Sequence, residues 1–174
     1  MNLVDVLLED AGNMYDVTEA LFRRVEPAML GWKPATGANW MTAGQLLMHC
    51  SNACGMGIRG YLTGNWGLPD GMRFEDIPPE EMLPPASKLP AVESVDQALH
   101  LLKEDRQLAL QYLAKADEMR LLGESLSAPW GGPPRTLFQQ LQSMIEHLGQ
   151  HKGQLFYYLK LMGQDVNTSN LWGM

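Results

Sequence analysis

Basic residues, cysteines and long apolar runs are all scarce in this chain, and each shortage closes off a class of function. Lys and Arg number 13 against 20 Asp and Glu, a formal charge of -7, which is the wrong sign for a surface that grips duplex phosphates. Nucleic acid is not an expected partner. No window approaches the roughly 20 consecutive apolar residues that span a bilayer. The opening Met1-Asn2-Leu3-Val4-Asp5 has no basic stretch, and Glu9 and Asp10 interrupt the apolar run that a signal peptide requires. A soluble, cytoplasmic protein with no membrane partner is therefore expected. The two cysteines, Cys50 and Cys54, fall on one expected helix, where they act more readily as small buried hydrophobes than as a disulfide. A metal or redox role stays open for them, because positions i and i+4 share a helix face.

What is present is helical patterning. With 174 residues, 45% of them hydrophobic, the chain can build one sizeable core, and a single domain over residues 1–174 is expected. Apolar residues recur at three and four from Val4 to Val25, and Pro27 ends that helix. A second helix is predicted from Thr42, whose hydroxyl and Gln45 have capping-box spacing, to Leu62, with Gly64 closing it. Its inward positions Ala53, Gly57 and Gly60 are small enough to imply a close neighbour or space kept for a ligand. Six prolines between residues 65 and 92 exclude regular helix over most of that stretch, which is a crossover acting either as a strap or as a lid. Ser94 and Gln97 repeat the capping spacing before a third helix bearing Val95, Ala98, Leu99, Leu102, Ala109, Tyr112 and Leu113. An irregular Ser125 to Pro134 segment then precedes a fourth helix, Thr136 to Leu161, ended by Gly163. With no convincing strand alternation, the expected fold is an all-α four-helix bundle.

The histidines carry the chemistry. His147 and His151 lie a turn apart on the fourth helix, about 6 Å along its axis, close enough to share one ion. Spacing alone also fits surface or hydrogen-bonded core histidines. Their stripe, Gln140, Met144, His147, His151, Gln154 and Tyr158, is the mixed polar line that a cavity inside a bundle requires. His49, between Leu46 and Ala53 on the second helix, needs a partner if buried and is the natural third ligand. His100 falls with Lys103, Glu104, Gln107 and Gln111 on the wet side of its helix and is excluded. Three nitrogen ligands leave a position open to solvent or substrate, the arrangement of a catalytic rather than a structural metal. Zinc, nickel and iron all accept imidazole. The stretch His147-Leu148-Gly149-Gln150-His151 has no glutamate after its first histidine, and Glu146 is rotated about 100° away. Metal-bound water or a substrate thiol is then the expected nucleophile. Gln154 and Tyr158 either orient a ligand imidazole or substrate, or simply pack.

The segment Thr42-Ala43-Gly44-Gln45-Leu46-Leu47-Met48-His49, followed by Glu146-His147-Leu148-Gly149-Gln150-His151-Lys152-Gly153-Gln154-Leu155 and Leu161-Met162-Gly163, resembles the DinB superfamily, which includes the YfiT-like metal-dependent hydrolases. The likeness spans essentially the whole chain. It implies an up-up-down-down four-helix bundle with a long link between helices 2 and 3. It also implies a divalent nickel or zinc ion held by His49, His147 and His151, and a homodimer. Members with assigned chemistry use the metal with low-molecular-weight thiols as transferases or isomerases. Lys152 stands where the family usually has arginine, which removes a planar donor fork and weakens any inference about an anionic partner.

The resulting expectation is a metal-dependent enzyme of hydrolase or thiol-transferase type acting on a small molecule. Its alternatives are a non-catalytic metal- or ligand-binding protein and a structural dimer. Trp32, Trp40, Trp66, Trp130 and Trp172 all fall in loops or near termini, where they roof a pocket, bury a dimer seam or pack over helix ends.

Overall fold

The computed structural model describes residues 2–174. Its helices are α1 (Leu3–Phe22), α2 (Ala43–Cys50), α3 (Gly55–Thr63), α4 (Pro79–Met82), α5 (Val95–Leu113), α6 (Glu118–Gly123), α7 (Leu137–Leu161) and α8 (Thr168–Trp172). A two-residue antiparallel pairing of β1 (Ser125–Leu126) with β2 (Arg135–Thr136) lies between α6 and α7. The expected sheet-free chain thus acquires one small clasp, which closes the loop carrying Trp130.

Local chemistry sets the helix starts. Asn2 with Asp5, Thr42 with Gln45 and Thr136 with Gln139 each form a reciprocal capping box that satisfies two otherwise orphaned amides. Ser94 accepts from the Gln97 amide, while the Gln97 side chain accepts from Glu93 rather than from Ser94. Gln45 does more than cap. Its Nε2 donates to the carbonyls of Ala86 and Leu89, which ties the far end of the crossover to the start of α2.

The predicted second helix is broken. Residues 51–54 leave helical geometry between α2 and α3, and the cause lies on α5. The buried Asp105 carboxylate accepts from the Gly55 amide with both oxygens at 3.0 Å, and Tyr15 Oη donates to it at 2.6 Å. Asp105 therefore caps α3 from another helix. A Cβ at Gly55 would strike the Asp105 main chain and carboxylate, so only glycine allows this approach.

Contacts along the helices give their directions. Leu3 at the start of α1 bonds Glu118 beyond the end of α5, and Asp16 pairs with Arg106, so α1 and α5 run opposite ways. Arg24 and Glu26 after α1 reach Asp165 and Gln164 after α7, so those two helices run together. Met41 ahead of α2 meets Tyr158 late in α7, and Ala53 meets His147, which makes α2 and α3 antiparallel to α7. The order is up-down-down-up, not the up-up-down-down expected from resemblance. An up-up-down-down bundle requires two connections that run its length. Here residues 23–42 stay at one end, held by the Ala43 and Gly44 amides on the carbonyls of Trp32 and Leu30. Only the link after Gly64 crosses.

The bundle closes around α1 and the α2–α3 pair, each packed on both α5 and α7. Leu7, Ala11, Tyr15, Leu46, Ala98, Leu102, Leu141, Ile145 and Leu148 supply its buried interior, each large aliphatic side chain contributing roughly 1.5–3 kcal/mol on burial. Cys50 and Cys54 are buried and unpaired there. None of the described helices is long and apolar enough to cross a membrane.

Candidate metal centre

His49 lies in the last turn of α2 just before the break, and His147 and His151 face it from α7. His147 Nε2 stands 3.2 Å from His49 Nε2 and 3.0 Å from His151 Nε2. Among the described residues, these three form a cluster able to hold a metal ion, and no carboxylate or thiol joins it. His100 pairs with Glu104 on the exposed side of α5, as the sequence implied, and Glu146 is exposed.

Two backbone carbonyls fix which imidazole nitrogens are bare. Tyr158 Oη donates to the Met41 carbonyl at 3.0 Å, so its lone pair accepts from Gln154 Nε2 at 3.2 Å. Gln154 must then turn its Oε1 toward His151 Nδ1, 3.1 Å away. That nitrogen carries the proton, and His151 Nε2 carries only a lone pair. By the same logic His147 Nδ1 donates to the Ala53 carbonyl at 3.2 Å, leaving its Nε2 bare. The 3.0 Å approach of the two Nε2 atoms therefore brings lone pairs together rather than forming a hydrogen bond.

Such an arrangement suits a cation between the rings. For bonds of about 2.0–2.1 Å in a tetrahedral array, neighbouring nitrogens stand about 3.3 Å apart, close to the separations found. Burial, reinforced by the other two imidazoles, lowers the His49 pKa to about 4, and burial also lowers that of His151. Both rings are consequently neutral at pH 7, the state in which imidazole ligates. Burial raises the Tyr158 pKa, which keeps its phenol a donor. Trp32 and Trp40 hold the Tyr158 ring edge-on, with centroids 5.2 and 6.3 Å away.

Beside the rings lies a cavity of about 370 Å³ reached by His49 and His147. Met56, Trp66, Phe74, Leu83, Trp130 and Met144 line it. The crossover thus supplies one wall, and the loop between the two strands supplies another. Gly57 also opens onto this space, and a Cβ there would collide with Met144, just as one at Gly60 would collide with the Trp66 ring. The small residues on α3 accordingly answer both to close neighbours and to the cavity.

One member of the expected α7 stripe, Gln140, points elsewhere and donates to the Leu126 carbonyl. Lys152 is buried on the side facing α8, where its Nζ donates to the Leu171 carbonyl at 2.8 Å and lies 5.6 Å from the Trp172 ring centre. Trp172 itself is exposed. Burial pushes the Cys54 thiol up to about 12 and raises that of Cys50 as well, so neither offers a thiolate near pH 7.

Sequence reading missed the Ala53 and Met41 carbonyls and the Tyr15–Asp105 lock. The carbonyls have no side-chain signature. Asp105 did have one, since it falls on the apolar line Ala98, Leu102, Ala109 and Leu113, where an acid requires a buried partner.

No curated protein and no solved structure matched the chain. A family model described as the DinB superfamily matches residues 12–155, a span that contains all three clustered histidines, Gln154, and the Asp105 that holds the helix break. The chain belongs to the DinB superfamily.

Proposed function

We propose that this protein is a metal-dependent enzyme acting on a small molecule, of hydrolase or low-molecular-weight-thiol transferase type, with His49, His147 and His151 as the ligands. The observation that carries this reading is the convergence of three imidazoles, two of them with Nε2 left bare, beside a ligand-sized cavity. Nickel and zinc are the ions we favour, because both accept three imidazoles and leave a position free for substrate. A divalent ion held there supplies a Lewis acid and lowers the pKa of the water or thiol it binds.

The chain's own residues do the rest. The Ala53 carbonyl and Gln154 keep His147 and His151 in the tautomers that aim Nε2 at the ion. Tyr158 holds Gln154 in that orientation and spends its own proton on Met41, so it positions rather than transfers protons. The cavity walls exclude water from one side of the site.

One observation favours a second reading, a non-catalytic metal- or ligand-binding protein. Among the described residues no carboxylate joins the histidines, so no general base of that kind stands at the ion. The two readings part on turnover. Protein purified without an affinity tag should contain about one ion per chain, and the loaded form should cleave activated esters or transfer a small thiol. Full loading with no turnover on either substrate class supports the binding protein instead, and failure to retain nickel or zinc removes both.

We further propose a cytoplasmic homodimer. Light scattering at micromolar protein should give about twice the chain mass of 19.4 kDa, and a concentration-independent monomer mass would refute the dimer.

A further inference from the structure

The cavity that meets the histidines has almost no charge chemistry of its own. Its polar contributions are the imidazoles of His49 and His147 together with Asn52, and among the described residues no Lys, Arg, Asp or Glu lines it. We propose that the ligand of this centre carries an uncharged aromatic or branched-aliphatic group, which fills this cavity while the ligand's polar end lies at the three Nε2 atoms. The proposal rests on the metal-centre reading above and names the substrate class for it.

The walls argue for an apolar occupant in two ways. An ammonium or carboxylate placed against Phe74 and Met144 would face ring and thioether atoms that offer it no strong hydrogen bond, and sugar hydroxyls would find few partners there. An apolar group pays no such penalty and gains by leaving water. The aromatic rings are also braced against one another. Trp66 stands edge-on to Phe74 and to Trp130, at 5.5 and 5.8 Å between centroids, and Tyr61 supports Trp66 from behind at 4.9 Å. Rings fixed in perpendicular attitudes present both faces and edges to a guest, which suits a flat or branched hydrocarbon.

Size and placement agree with this. A volume of about 370 Å³ is at the small end of ligand pockets, enough for one ring or a short branched chain. Gly57 provides floor space that any side chain would fill by displacing Met144. The cavity reaches His49 and His147 directly, so a polar group attached to the apolar body arrives beside the imidazoles. A hydrophobic ester, amide or thioether has this shape. A highly polar thiol does not fit as the cavity's occupant.

Hydroxamic acids separate the two parts of the argument, because their head groups bind divalent ions and their tails can be varied. Zinc-loaded protein would be titrated with acetohydroxamate, benzohydroxamate, hexanohydroxamate and a hexanohydroxamate bearing a terminal carboxylate, following tryptophan fluorescence and heat. Benzo- and hexanohydroxamate should bind at least tenfold tighter than acetohydroxamate, and the terminal carboxylate should erase that gain. Leu83→Glu, at a rim position 79% exposed and so tolerant of change, should cut the preference for apolar over short tails at least threefold. Equal affinity across the series, or tightest binding of the carboxylate tail, overturns this proposal alone. Binding of acetohydroxamate that is unchanged after metal removal overturns the metal-centre reading as well.

Discussion

Two polar networks are built into this bundle, and they differ in what they leave over. Around Asp105 every group finds a partner within the protein: Tyr15 Oη and the Gly55 amide both donate to the carboxylate, and the amides of Cys54 and Met56 face it. Around His147 the hydrogen bonds run outward, from Nδ1 atoms to Ala53 and Gln154, and bare Nε2 atoms are left facing inward. A buried polar cluster that satisfies itself is structural. One that orients its unshared lone pairs toward a common point is prepared for something absent from the polypeptide. The two are mechanically joined, because the helix break that Asp105 caps is also what frees the Ala53 carbonyl to accept from His147.

The comparison breaks most severely if the histidines are dispensable. Replacing His49, His147 or His151 by alanine should each abolish stoichiometric nickel or zinc retention after dialysis, whereas His100→Ala should retain wild-type content by elemental analysis. Full occupancy in His151→Ala would remove the ligand assignment. Loaded wild-type protein should also melt at higher temperature than chelated protein, since an ion bound only by the native state stabilises it by mass action.

The self-satisfied network should instead matter for stability whether or not metal is bound. Asp105→Ala leaves the Tyr15 hydroxyl and the α3 amides unpaired in the core, at a cost of about 3 kcal/mol or more. Urea unfolding of apo protein measures this. A loss below about 1 kcal/mol would mean that water replaces the carboxylate readily.

A smaller effect is expected at Gln154. Gln154→Ala frees His151 to rotate or change tautomer, and outer-shell losses of this kind weaken metal binding by about 10–100-fold. Tyr158→Phe, one bond further out, should weaken it less. If Tyr158→Phe were the more damaging of the two, the proposed order of the chain would be wrong.

The gentlest test is pH. The folded state holds His49 at about 4, below its ordinary value of about 6.5. Between those values the unfolded chain binds a proton that the folded site refuses. Stability of the apo protein from this residue is complete above about pH 6.5 and declines on acidification toward pH 4. Asp105 has the opposite sign, because burial raises its pKa: its contribution is present in acid and lost as pH rises through the folded value. His49→Ala should therefore flatten the acid limb of a melting-temperature profile, and Asp105→Asn should not.

Much of this was legible beforehand because it depends on local spacing. The capping pairs at Thr42 and Thr136, the extent of α7, the exclusion of His100 and the pairing of His147 with His151 follow from residues three or four apart on helices, whereas His49 joined them through its need for a buried partner and the family resemblance. The unbroken second helix was an error of the same method. Periodicity through residues 43–62 is continuous, and the break is imposed by an acid fifty positions later.

The sequence by itself determined a mainly helical chain, the His147–His151 pair and the capping residues that start α2, α5 and α7, because each is a consequence of neighbours on the same segment. Tertiary structure alone decided the rest. The up-down-down-up order depends on which connection crosses the bundle, and the tautomers of His147 and His151 depend on carbonyls of Ala53 and Met41 that every residue type possesses. The apolar character of the cavity depends on Trp66 and Phe74 of the crossover meeting Trp130 of the loop between the two strands. Chain direction, backbone acceptors and the convergence of distant loops are properties of packing, and no local pattern of side chains encodes them.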